Sequence, residues 1–148
     1  MYSCTFIGHK DCSANIKPVL YETLEYLIVK ENVSCFYVGT HGNFDKYVYE
    51  TLSILRRKYD ITVFVVLAYL NNNKQCFYNV NDTIYPCVLE KVPLRYAINE
   101  RNMYMIEQSQ FMLCYVNLTF SNSYRFLVKA VNKNLKVLNI GKYEIEFI

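Results

Sequence analysis

The chain alternates short continuous apolar runs with stretches in which apolar positions return every three or four residues. The runs "CTFIG" (4–8), "SCFYVG" (34–39), "ITVFVVLAYL" (61–70), "QFMLCYVN" (110–117) and "LKVLNIG" (135–141) read as buried strands. "YPCVLEKV" (85–92) reads as a weaker strand, and "YEIEFI" (143–148) as an edge strand or tail. Between them lie four helical patterns. In "IKPVLYETLEYLIVKE" (16–31), Ile16, Leu20, Leu24, Leu27 and Ile28 share one face, and Pro18 suits a first turn. In "NFDKYVYETLSILRRKY" (43–59), Phe44, Tyr47, Val48, Thr51, Leu52, Leu55 and Tyr59 do the same, with Asn43 as the expected N-cap. "YAINERNMYMIEQS" (96–109) and "SNSYRFLVKAVNKN" (121–134) complete the set, the latter with Tyr124, Leu127, Val128 and Val131 in line.

This alternation predicts right-handed βαβ units. The expected fold class is α/β, a Rossmann-like three-layer α/β/α sandwich with a mainly parallel sheet, as one domain over 1–148. The polar stretch from Asn71 to Tyr85 reads as a surface excursion rather than a boundary.

Composition narrows the functional classes. The hydrophobic fraction of 53% with 20% charged residues fits a packed core. A net charge of +3 is too mild for a dedicated duplex-DNA binder, so nucleic acid is not the expected partner. The one tight basic cluster, Arg56-Arg57-Lys58, falls where a helix should end, a position that favours cations on its own account. No signal peptide or membrane-spanning run is evident, so the chain is expected to be cytoplasmic. Six cysteines without a C-x-x-C pair read as thiols; neither metal nor cofactor is expected.

In an open α/β sheet, ligands bind beyond the carboxyl ends of the strands. There the sequence places Gly8-His9-Lys10-Asp11, then Gly39-Thr40-His41-Gly42-Asn43, then Tyr69-Leu70-Asn71-Asn72, and finally Asn117 to Ser123. These loops are expected to wall one crevice. Glycines let the backbone approach a ligand, and helix N-termini hold anions. Gly8, His9 and Lys10 are expected on one side, with His9 as a general base or donor and Lys10 on phosphate. Gly39, Thr40 and Gly42 are expected to approach phosphate or ribose, and Ser121, Asn122 and Ser123 to close the far end. Asp45 either complements its helix dipole or accepts from a ribose hydroxyl, while His41 reads as a plain loop residue. Asn102 falls on the inward face between Ile98 and Ile106; it either ties its helix to a loop or touches ligand. Arg101 makes either a surface salt bridge or a phosphate contact. Tyr69 and Tyr124 are candidates to stack on a base.

The same stretches carry a family likeness. "CTFIGHKD" resembles the F-x-G-H-R segment of the SLOG superfamily (the Lonely Guy and DprA-like Rossmannoids), in its small stand-alone YpsA-like branch. "FYVGTHGNFDKYVYETL" resembles that branch's segment ending in Gly-Phe-Asp, and "RNMYMIEQSQFMLCYV" its R-N-x-x-M-[IV]-[DE]-x-S segment. The resemblance implies a fold that binds nucleotides or nucleotide-derived molecules, such as ADP-ribose-like or cyclic ADP-ribose-like messengers of prokaryotic defence signalling. It carries Gly8, His9, Gly39, Gly42, Asp45, Arg101 and Asn102 over as pocket or pocket-supporting residues, and it suggests a homodimer or higher homo-oligomer. Three departures stand out. Lys10 replaces an Arg, Asn43 replaces a Gly, and the family's Gly-Gly-Thr loop is here "FSNSYRF", with no acid from Arg125 to Val131. The expected activity is therefore binding, to sense or sequester a nucleotide-derived small molecule. The alternatives are an N-glycosidic-bond hydrolase of Lonely Guy type, with Asp45 or Glu100 as its carboxylate, and single-stranded DNA binding.

Overall fold

β-branched and aromatic runs with no room for a polar face can be satisfied only inside a sheet covered on both sides. The computed structural model, which describes residues 1–70 and 76–148, has this arrangement. Its strands are β1 (Tyr2–Gly8), β2 (Val33–Val38), β3 (Thr62–Val66), β4 (Thr83–Ile84), β5 (Phe111–Tyr115), β6 (Lys136–Asn139) and β7 (Glu146–Phe147). The helices are α1 (Lys17–Lys30), α2 (Gly42–Leu55), α3 (Ala97–Glu107) and α4 (Asn122–Asn132). The sheet order is β4-β3-β2-β1-β5-β6-β7. Every pairing is parallel except that of the edge strand β7 with β6.

Two apolar layers sandwich the sheet. On one face Leu20, Leu24 and Leu27 of α1 and Phe44, Val48 and Leu52 of α2 pack on Cys4, Phe6, Phe36 and Leu113. On the other, Ile106 of α3 and Phe126, Leu127 and Ala130 of α4 pack on Met112, Cys114 and Val137. The switch from Leu113 to its neighbours Met112 and Cys114 is the strand's alternation of faces. Leu20, Leu24 and Leu27 are fully buried, and each such side chain stabilises the fold by roughly 1.5–3 kcal/mol.

The expected α1 face is the buried one, although Ile16 belongs to a 3-10 turn, Ala14–Ile16, and α1 starts at Lys17. Three sequence expectations change. Residues 85–92 form no strand: Pro86 opens the 3-10 turn Cys87–Leu89, and the amides of Leu89 and Val92 bond locally to Pro86 and Leu89 carbonyls. A proline cannot donate to a ladder, and the strand lies upstream, where Thr83 and Ile84 pair with Val65 and Val66. α2 ends at Leu55 rather than at Tyr59. Beyond it, Arg56 makes a two-pronged contact with Asp82, at 2.9 and 3.0 Å, and Lys58 pairs with Glu25. The cluster is thus structural, holding the 77–84 excursion and α1 against the end of α2. The N-cap of α2 is His41, not Asn43. All six cysteines are free thiols. Among the described residues no helix is long and apolar enough to cross a membrane.

Candidate functional site

From β1 the chain proceeds outward to β2, β3 and β4 on one side, then crosses back to place β5 and β6 on the other. The loops leaving β1 and β5 therefore diverge, and a crevice opens between them at the carboxyl edge. A cleft of about 480 Å³ occupies that place, within the range of small-molecule sites. Its lining comprises Phe6 to Asp11 from the end of β1, His41 and Asp45 from the start of α2, Ile98, Arg101 and Asn102 from α3, and Ser121, Asn122 and Ser123 from the start of α4.

Nine of the expected residues thus meet: Gly8, His9, Lys10, Asp45, Arg101, Asn102, Ser121, Asn122 and Ser123. Gly39, Thr40, Gly42 and Asn43 do not line the cleft. Their roles are internal. A Cβ on Gly39 would sit 2.7 Å from Asp45 Oδ2 and 3.3 Å from Arg101 Cζ, so this glycine is the gap in which the carboxylate and guanidinium face each other. Gly42 has φ +89° and packs on the Lys10 backbone, a conformation and a proximity that no other residue meets without strain. Gly8 makes room for the Phe44 ring rather than for a ligand. The amide of Asn43 donates to the Lys10 carbonyl at 2.8 Å. That bond and the contact of Gly42 with Lys10 tie the start of α2 to the loop after β1.

The cleft floor is a hydrogen-bonded chain. Arg101, only 2% exposed, donates from Nε to Asn102 Oδ1 (2.8 Å) and from one terminal nitrogen to Thr40 Oγ1 (3.0 Å) and the Val66 carbonyl (3.1 Å). This is neither the surface ion pair nor the free phosphate fork expected of it. Thr40 Oγ1 lies 3.0 Å from His41 Nδ1, and His41 Nε2 lies 3.4 Å from the Tyr69 hydroxyl. Thr40 Oγ1, which accepts from the guanidinium, keeps both its proton and a second lone pair for His41 Nδ1, so it serves either neutral tautomer. Burial and the positive charges of Arg101 and Lys10 push the imidazole below its ordinary range, in keeping with the neutral form. Asp45 accepts from the His41 amide at 3.0 Å, which caps α2. Burial pushes its carboxyl up to about 6, against the opposing pull of Arg101 and that amide. Burial likewise pulls the Arg101 guanidinium down, with Asp45 opposing.

Asn102 faces inward as expected and fastens Arg101 rather than a sheet loop. Its Nδ2 has no acceptor among the described residues, and the residue lines the cleft while only 5% exposed. On the opposite wall, His9 Nε2 accepts from the Asn117 amide at 3.1 Å. That bond occupies the lone pair a general base would use and leaves Nδ1 to carry the proton. Ser121 caps α4: its Oγ accepts from the Tyr124 amide at 3.1 Å. The first-turn amides of Asn122 and Ser123 meet no protein acceptor among the described residues, as is usual for a helix N-terminus. Asn122 and Ser123 line the cleft, whereas Gly42, Asn43 and Phe44 at the start of α2 do not.

Glu100 is exposed on α3 and does not line the cleft. Tyr69 is engaged by His41, and Tyr124 packs into the α3/α4 layer. Asn71 and Asn72 lie outside the described residues. His41 and Asp11 line the cleft, in loops expected to wall it, although the sequence reading gave neither a ligand role. For His41 a signal existed: it stands at the boundary of strand-following loop and helix, between Thr40 and Gly42.

No family model matches the chain, and no curated protein does. Among solved structures, the X-ray structure of DNA processing protein A (DprA) from Streptococcus pneumoniae matches with a TM-score of 0.68 at 13% identity. The match covers 94% of this chain and 50% of that one, so the chain spans about half the length of that protein. At such low identity the likeness establishes the fold: a DprA-like, Rossmann-like three-layer α/β/α architecture with a mostly parallel sheet.

Proposed function

We propose that this SLOG-like Rossmannoid binds a nucleotide-derived small molecule in the cleft between β1 and β5, to sense or sequester it. The observation that carries this reading is the open N-terminus of α4. The unengaged amides of Asn122 and Ser123 and the positive end of the helix face the same cleft as Lys10 and the Nδ2 of Asn102. An anionic group such as a phosphate suits that donor set. Below it, Asp45 and Asn102 offer an acceptor and a donor to a sugar hydroxyl. ADP-ribose and its cyclic relatives carry both features.

The test is a thermal-shift screen against nucleotides, ADP-ribose, cyclic ADP-ribose isomers, dinucleotides and a short DNA oligomer, repeated on Ser123→Asp. An acid in the first turn favours the helix yet repels an anion at its end. The variant is expected to fold as the wild type does and to lose the shift. A ligand at a hundred times its dissociation constant adds about 2.7 kcal/mol, a shift easily read. A ligand-induced shift that survives in Ser123→Asp would place the anion elsewhere, and no shift with any compound would remove the reading.

One observation favours a second reading, cleavage of an N-glycosidic bond. A carboxyl at about 6 retains protonated molecules near neutral pH and is suited to general-acid work. With Glu100 outside the cleft, Asp45 is the carboxylate to test. Release of free base from nucleoside monophosphates, abolished in Asp45→Asn with binding intact, would support it.

A further inference from the structure

If the cleft holds a nucleotide, something must meet the base, and neither tyrosine expected for that role is placed for it. Tyr69 is held by His41, and Tyr124 is packed in a core layer. The chain instead displays Phe120, whose side chain is wholly exposed at 101%, next to Leu118 at 61%. Single exposed hydrophobes need no explanation; the manner in which this one is held does. The loop from β5 to α4 is fastened at both ends. The Asn117 amide donates to His9 Nε2 at 3.1 Å. Ser121 closes a turn on the Leu118 carbonyl through its amide (3.4 Å) and its hydroxyl (2.8 Å), while its Oγ also caps α4. The backbone at 118–121 is thus tied to the cleft wall and to the helix cap, while the two apolar side chains it carries point away from protein. The turn adjoins the cleft through its last residue, since Ser121 lines it and Phe120 is one peptide unit away.

We propose that Phe120 is the base-stacking residue of the cleft: a nucleotide whose phosphate sits at the start of α4 lays its base on the Phe120 ring. This rests on the nucleotide reading of the cleft. A ring on a fixed backbone is a platform that loses little freedom when covered. An aromatic face accepts any base, so the ring sets a preference for a nucleotide over its sugar phosphate without choosing among bases.

The experiment is calorimetric titration of the full chain with AMP and with ribose 5-phosphate, for wild type, Phe120→Ala and Phe120→Tyr. Phe120→Ala is expected to weaken AMP binding about tenfold or more, the usual loss of one stacking partner. It should leave ribose 5-phosphate affinity and the melting temperature unchanged, because the ring touches no protein group. Phe120→Tyr should bind AMP as the wild type does. Unchanged AMP affinity in Phe120→Ala, or an equal loss of both ligands, would overturn the stacking role while leaving the cleft reading standing. A change of oligomeric state in Phe120→Ala with AMP affinity intact would also overturn it, marking the turn as a contact between copies. Failure of the wild type to bind either compound would overturn this inference, and the wider thermal-shift screen then decides whether the nucleotide reading stands.

Discussion

α2 and α4 both begin at the carboxyl edge of the sheet beside the same cleft, and each leaves two first-turn amides without an acceptor among the described residues, but only those of α4 belong to residues that line the cleft. At α2 the Lys10 carbonyl takes the Asn43 amide, Asp45 takes the His41 amide, and Gly42 lies flush against Lys10. At α4 one side-chain cap serves the Tyr124 amide, and the two amides before it face the cleft. The α2 end ties to the loop after β1 through Lys10 and Asn43, and to the end of β2 and α3 through Gly39, Asp45 and Arg101. The α4 end is where the proposed ligand would sit. Glycine and charge at a strand-to-helix turn therefore do not by themselves mark a binding loop: here the glycine-bearing segment is the structural one, and the glycine-free "FSNS" segment is the one at the cleft.

Substitutions at the two ends should accordingly separate stability from binding. The largest effect is expected at the α2 end, for Arg101→Met. It strips Thr40, the Val66 carbonyl and Asn102 of their donor and leaves Asp45 buried without its opposite charge, a loss of about 3–5 kcal/mol in urea unfolding. Gly42→Ala comes next. The φ of +89° and the contact with Lys10 are both unfavourable for a side chain, and together they should cost about 2–4 kcal/mol. Nucleotide binding per folded molecule should survive this substitution; its loss would mean that the α2 end also touches ligand.

Asp45 sharpens the same point through pH. Its folded-state value of about 6 lies above the ordinary 3.8, so the protonated form is the one the fold prefers. The stability it contributes is full below about pH 4 and is lost as pH rises through 6. Measured against Asp45→Asn, the wild type should lose up to roughly 3 kcal/mol between pH 4 and 7, since each tenfold difference in proton affinity between folded and unfolded chain is worth about 1.4 kcal/mol. A flat difference across that range would show that Arg101 balances the burial completely. At the α4 end, Ser121→Ala should cost only about 1 kcal/mol, the worth of a helix cap. Ser123→Asp should change stability least, within about 0.5 kcal/mol, while abolishing ligand-induced shifts.

The strands and helices were legible because their patterns are local: an unbroken β-branched run and a three-to-four repeat each dictate one solution. The misread segment, 85–92, has apolar residues in strand-like number but prolines at 86 and 93, which favour local turns over a ladder. The location of the cleft was also legible, since topology alone sends the loops after β1 and β5 to one edge. The division of labour inside it was not. Gly39 looks like any loop glycine until Asp45 and Arg101 arrive from two other elements to fill the space beside it. Arg101 stands next to an exposed Glu100 and reads as a surface residue; only its position one step from the inward Asn102 hints at burial. The bond that occupies His9, expected as a base or donor, was not legible because it joins residues 108 positions apart.

The central position of β1 has a consequence for the order in which the molecule assembles. One edge of β1 pairs with β2 after a single helix, but its other edge waits for β5, which follows more than a hundred residues later. Contacts of such sequence separation form late, because closing the intervening loop is entropically costly before any pairing offsets it. The walls of the cleft come from both sides of that late junction. On a nascent chain the half-sheet β1–β3 can gather early, but the cleft exists only once β5 and α4 have docked. A ligand held there would therefore clasp β1 to α4, and protection of β5 amides from hydrogen exchange would rise along with those of β1 when it binds.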